Sequence, residues 1–125
     1  SYIDGELARL GLADNDLALI GFSQGTMISL HVSLRRASAC AGILGYSGRL
    51  EAPETLAGEI KTRPPVMLIH GEMDDRLPVA LMDSAAATMQ ENGVRVETHR
   101  RPGLGHSIDQ EGVALGAGFL TGIFA

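Results

Sequence analysis

The sequence has little cysteine: Cys40 is alone among 125 residues, so no intrachain disulfide is available. It precedes an apolar run and reads as a small buried side chain of the core. No apolar stretch approaches the ~20 residues a spanning helix needs, and the start lacks the charged-then-apolar pattern of a secretory signal. The expectations are no membrane span and a cytoplasmic location. Like charges never run to five, and a net charge of −5 supplies neither a phosphate-backbone footprint nor a polybasic patch, which argues against nucleic acid as a partner. No cluster of His, Cys, Asp and Glu has ligand spacing, so neither a metal nor an organic cofactor is implied. Repeats and low-complexity tracts are missing too. What is present is 45% hydrophobic residues, enough for one compact domain over residues 1–125.

The apolar pattern alternates between two periods. Ile3, Leu7 and Leu10 recur at helical spacing and Gly11 then Asp14-Asn15 stop the run, predicting a short amphipathic helix. Leu17 to Phe22 is apolar and of strand length, the pattern of a strand buried on both faces of a parallel sheet. After a sharp turn, Met27, Ile28, Leu30 and Leu34 form one stripe of a helix from Gln24 to Arg36. Arg35 and Arg36 there oppose its negative dipole end. Further strands are expected at Ala41 to Tyr46 and Val66 to His70. A helix from Pro78 to Asn92-Gly93 follows, then an edge strand in which Val94, Val96 and Thr98 alternate with polar residues. The final helix carries Gly112, Gly116, Gly118 and Gly122, each costing about 1 kcal/mol relative to alanine; close packing on the sheet is the expected compensation. Such alternation predicts the α/β class, with about four parallel strands and flanking helices. In open parallel sheets, reactive loops gather at the carboxyl ends of the strands. The segments after Phe22, Tyr46, His70 and Arg101 should therefore share one rim.

Gly21-Phe22-Ser23-Gln24-Gly25 on that rim matches G-x-S-x-G between a predicted strand and a predicted helix. With 16 glycines the five-residue string alone is a weak signal, and the strand-turn-helix context carries it. The turn is tight enough that glycine is expected on both sides to avoid collision with strand and helix. Ser23 would then stand at a helix N-terminus, where the Gln24 N–H faces a developing oxyanion. The plainer alternative is a serine that caps the helix. A serine hydroxyl needs a base. His31 sits mid-helix as a packed or surface side chain, His70 ends a strand and braces the acidic loop, and His99 points to a sheet face. His106 alone lies in a glycine-rich loop after a strand. An acid between them comes from Gly71-Glu72-Met73-Asp74-Asp75-Arg76, where spacing does not choose between Asp74 and Asp75. Its task is to hold the imidazole tautomer and stabilise the imidazolium. Tyr46, Leu77 and Leu104 are rim residues positioned to touch substrate.

GFSQG, HGEMDDRLP and GLGH together resemble the phospholipase/carboxylesterase group of small α/β-hydrolases, which includes the acyl-protein thioesterases. Laid on His70 to Pro78, the group's middle motif implies Asp74 as the acid, with Leu77 in its valine position. Asp75 stands where the group usually has proline. The resemblance implies a Ser23-Asp74-His106 triad cleaving short-to-medium acyl esters through an acyl-enzyme, with small-molecule ester substrates. Acyl-protein thioesterase or lysophospholipase activity is the neighbouring expectation. A catalytically silent fragment or an interaction module is the expectation from another class. Because the group places its serine far from the chain start, the sequence also reads as the C-terminal part of a truncated α/β-hydrolase. The loop donating a second oxyanion N–H would lie upstream. The isolated chain is accordingly expected to be poorly active and to pair with the N-terminal half or with a second copy.

Overall fold

The computed structural model describes residues 2–125. Its helices are α1 (Tyr2–Leu10), α2 (Gln24–Arg35), α3 (Leu56–Glu59), α4 (Ala80–Glu91) and α5 (Gln110–Ile123). They alternate with strands β1 (Ala18–Phe22), β2 (Gly42–Tyr46), β3 (Val66–Gly71) and β4 (Val96–Arg101). The four strands pair in parallel in the order β1-β2-β3-β4, so each connection returns beside the strand it left. This is the parallel α/β sheet that the alternating pattern predicts, and β4 is at an edge as expected.

Register assigns each apolar residue to a face. Ile43 lies opposite Val66, and Gly45 opposite Leu68; on this face they pack with Leu30 and Leu34 of α2 and with Met82 and Met89 of α4. Leu44 opposite Met67 and Tyr46 opposite Ile69 form the other face, covered by Leu115, Phe119 and Leu120 of α5. Each large side chain buried in these layers contributes about 1.5–3 kcal/mol. Cys40 is buried as expected, and burial pushes its thiol up from the ordinary value.

Three expectations need correction. β1 is not buried on both faces: Ile20 is 59% and Phe22 41% exposed. The α5 residues pack on β2 and β3, and β1 is the other edge of the described sheet. Val94 is not in a strand; its N–H turns back to the Met89 carbonyl after Gly93, whose φ of +84° permits the reversal, and its side chain joins the core. Of the α5 glycines, Gly112 and Gly116 do lie against the sheet, where a Cβ at Gly116 would collide with Tyr46 and Leu44. A Cβ at Gly118 or Gly122 would meet nothing within 4 Å among the described residues. The short helix α3 and the 3-10 turn Pro53–Thr55 before it have no counterpart in the sequence pattern, being too short for a period to show.

Candidate active site

The site begins with the turn after β1. Ser23 adopts φ 56° and ψ −115°, a conformation that L side chains rarely take, so local strain is imposed by the surroundings. Two hydrogen bonds hold it: the Ser23 N–H and the Thr26 hydroxyl both donate to the Tyr46 carbonyl of β2, at 2.9 and 2.8 Å. Gly21 is required, because a Cβ there would run into the Gly25–Thr26 backbone. Gly25 differs from the expectation, since a Cβ would meet nothing within 4 Å among the described residues. Ser23 occupies the N-cap position of α2 but makes no capping hydrogen bond through its side chain. Its hydroxyl instead faces His106 Nε2 at 3.1 Å. Gln24 opens α2, so its N–H has no acceptor within the helix and is free to face an anion.

His106 comes from the loop after β4 and is partly buried. Its Nδ1 is 2.7 Å from Asp74 Oδ2. An ionised carboxylate only accepts, so Nδ1 carries the proton and Nε2 is left to accept from the serine hydroxyl. This loop passes so close to the end of β3 that a Cβ at Gly71 would strike the carbonyls of Leu104 and Gly105. The Met73 N–H ties the two loops together by donating to the Leu104 carbonyl at 2.8 Å.

The Asp74 side chain is 0% exposed. Its Oδ1 accepts from the backbone N–H groups of Arg76 and Leu77, each at 2.9 Å. Burial pushes its carboxyl up, but the Leu77 N–H, the His106 ring and the Arg76 N–H outweigh that and hold it below the ordinary carboxylate value. Asp75 lies exposed on the same loop. His70, 1% exposed, sends Nε2 to the Leu77 carbonyl at 2.7 Å, within the loop it was expected to brace. His31 is half-buried in α2, and His99 meets Glu97 on β4 at 2.6 Å.

Ser23, His106 and Asp74 therefore meet in one hydrogen-bonded row at the carboxyl ends of the strands. The expected rim residue Tyr46 does not join them through its side chain. That ring is buried beneath α5 and its hydroxyl donates to the Gly112 carbonyl at 2.9 Å, so only its backbone serves the site. The alternation of β2 turns the side chain onto the α5 face. Leu77 and Leu104 are half-buried on the loops that carry Asp74 and His106. Sequence reasoning overlooked Phe22, whose ring centroid is 5.0 Å from that of His106 at an interplanar angle of 44°. It also overlooked Ser47, whose φ is 52° and whose hydroxyl reaches the Ser107 carbonyl at 3.4 Å. The Tyr46-Ser47-Gly48 turn was the available signal for Ser47; for Phe22 it was the apolar residue inside the serine motif. Among the described residues, no group of three or more His, Cys, Asp or Glu is placed to hold a metal ion.

The phospholipase/carboxylesterase family profile matches residues 1–122. Acyl-protein thioesterase 1 of Schizosaccharomyces pombe is 34% identical over 115 residues, covering 87% of this chain and 50% of that protein. A probable carboxylesterase of Oryza sativa subsp. japonica is 29% identical over 112 residues, covering 87% and 47% respectively. The crystal structure of esterase PE8 superposes with a TM-score of 0.95 at 38% identity, over 98% of this chain and 57% of that one. The chain thus spans about half the length of the curated relatives it matches.

Proposed function

Because the chain belongs to the phospholipase/carboxylesterase family of α/β-hydrolases, we propose that it carries the reacting residues of a serine carboxylesterase acting on short-to-medium acyl esters. The observation that supports this best is the Ser23–His106–Asp74 row of hydrogen bonds. Ser23 Oγ attacks the acyl carbonyl while His106 Nε2 takes its proton. Asp74 fixes the imidazole through Nδ1 and stabilises the imidazolium that forms. The oxyanion of the tetrahedral intermediate is received by the Gln24 N–H at the positive end of α2. His106 then returns the proton to the departing alcohol, leaving Ser23 acylated. Water, deprotonated by the same nitrogen, then attacks the acyl carbon; the Ser23 Oγ–acyl bond breaks, His106 returns the proton to Ser23 Oγ, and the acid leaves. Leu77 and Leu104, half-buried on the flanking loops, are the residues proposed to touch the acyl group. Residues 1–125 form part of a single hydrolase domain in this reading.

The proposal is tested by Ser23→Ala in the purified protein, which should lower ester turnover by roughly ten-thousandfold or more. Retained turnover would refute it, and would favour a silent hydrolase fragment or an interaction module. A second reading, thioester cleavage, is favoured by the 34% identity to acyl-protein thioesterase 1 of Schizosaccharomyces pombe. The ratio of kcat/KM on an oxygen ester and a thioester of the same acyl chain separates the two.

A further inference from the structure

We infer that His70 is a positioning residue for this reaction: it sets the angle of the Asp74 carboxylate by gripping the carbonyl of Leu77, the residue whose N–H holds it. The inference rests on the proposed roles of Ser23, His106 and Asp74, and on one closed ring of contacts. His70 Nε2 lies 2.7 Å from the Leu77 carbonyl oxygen. That oxygen only accepts, so Nε2 carries the proton. The Leu77 N–H in turn donates to Asp74 Oδ1 at 2.9 Å. The same His70 nitrogen is 3.4 Å from Asp74 Oδ2, the oxygen that meets His106 Nδ1. His70 thus addresses both ends of the carboxylate, Oδ1 through the backbone of Leu77, from its carbonyl to its N–H, and Oδ2 through space.

A carboxylate held only by the flanking loop would turn with that loop. Asp74 and Leu77 belong to the non-helical segment between β3 and α4, whose backbone hydrogen bonds gather at its two ends: Glu72, Met73 and Asp74 N–H to the carbonyls of Arg101, Leu104 and Gly71 at one, and the Pro78 and Val79 carbonyls accepting from Leu81 and Met82 at the other. His70 instead stands on β3, which is paired with β2 and β4; the residue itself lies opposite Arg100 of β4, one place beyond the Tyr46–Ile69 pair, and is 1% exposed. It therefore transfers the rigidity of the sheet to the loop. If that grip is lost, the Leu77 carbonyl has no ring to face and the Leu77–Pro78 peptide that carries it is released. The Leu77 Cα shifts with it, taking along the adjoining Arg76–Leu77 peptide whose N–H meets Asp74. Oδ1 then loses a donor and Oδ2 no longer points steadily at Nδ1. The imidazole follows, and Nε2 leaves the line to Ser23. Misplacement of this kind by about 1 Å costs on the order of a hundredfold in rate. Since His70 is buried and acts through Leu77 and Asp74, the loss falls on kcat and leaves KM little changed.

The test is a double-mutant cycle on the purified protein with an ester substrate, each variant first checked for folding by near-UV circular dichroism. His70→Leu should lower kcat by about tenfold to a hundredfold with KM within about twofold. His70→Gln, whose amide N–H reaches about as far as Nε2, should restore most of the loss, whereas His70→Asn is too short and should not. In an Asp74→Asn background the same His70→Leu change should cost less than about twofold, because the group it positions is already disabled. Equal losses in both backgrounds would overturn the inference, as would a wild-type kcat in His70→Leu. If His70→Leu does not fold, the Gln and Asn variants decide: equal kcat values overturn it, and a gap of about tenfold or more supports it. Failure of the underlying functional reading is seen separately, as turnover retained by Ser23→Ala.

Discussion

Single side chains carry most of the chemistry, and Asp74 is the most informative of them. Its carboxyl is held below the ordinary value because hydrogen bonds from Leu77, His106 and Arg76 outweigh burial. A depressed folded-state pKa stabilises the fold above the unfolded carboxylate value, about 3.9, and that contribution is lost as pH falls through the folded pKa. Unfolding measured by denaturant titration should therefore show stability falling below about pH 4. Asp74→Asn should flatten that dependence, and an unchanged slope would remove Asp74 from the account. At neutral pH, Asp74→Asn should cost turnover about a thousandfold or more, by analogy with triads in general. Asp75→Asn, on an exposed residue, should cost less than about threefold; the reverse order would mean that the wrong acid is assigned. Phe22 packs against His106 with the rings tilted at 44°. Its replacement by alanine should slow ester turnover by roughly tenfold through loss of ring support, checked against Phe22→Leu, which keeps the bulk.

At the scale of elements, the strands, the serine turn and the loop histidine were legible in the sequence because each is local. Leu17 to Phe22, Ala41 to Tyr46 and Val66 to His70 are short apolar runs, and the observed strands fall on them to within one residue at either end. The G-x-S-x-G string fell between a strand and a helix in the chain as in the fold. Burial and side-chain direction were not legible, since they depend on what lies across the sheet. Tyr46 turned under α5 because its place in β2 puts it on that face, and Ile20 stays exposed because no helix covers β1 there. Spacing likewise left Asp74 and Asp75 open, and only the family resemblance pointed to Asp74, because which carboxylate the loop turns inward is set by its tertiary contacts. The glycines of α5 make the same point testable. Gly116→Ala should destabilise the protein, because its Cβ collides with Tyr46 and Leu44, whereas Gly118→Ala should stabilise it by up to about 1 kcal/mol. Chemical denaturation of the two variants should move the midpoint in opposite directions.

For the whole molecule, one sheet carries a hydrogen-bonded row on one rim and an open edge at β1. Among the described residues β1 pairs only with β2, and Ile20 and Phe22 stand exposed beside the site. An uncovered strand of this kind invites pairing. A chain ending in this edge is therefore expected to sediment above its 13.2 kDa monomer mass. A clean monomer would show that the edge needs no covering. The central claim, that Ser23 is the nucleophile activated by His106 and Asp74, is tested most directly by fluorophosphonate labelling followed by peptide mass spectrometry of the purified protein. One adduct is expected, on the peptide containing Ser23, abolished in Ser23→Ala and slowed at least a hundredfold in Asp74→Asn. An adduct on another residue, or labelling of Ser23→Ala at the wild-type rate, would contradict it.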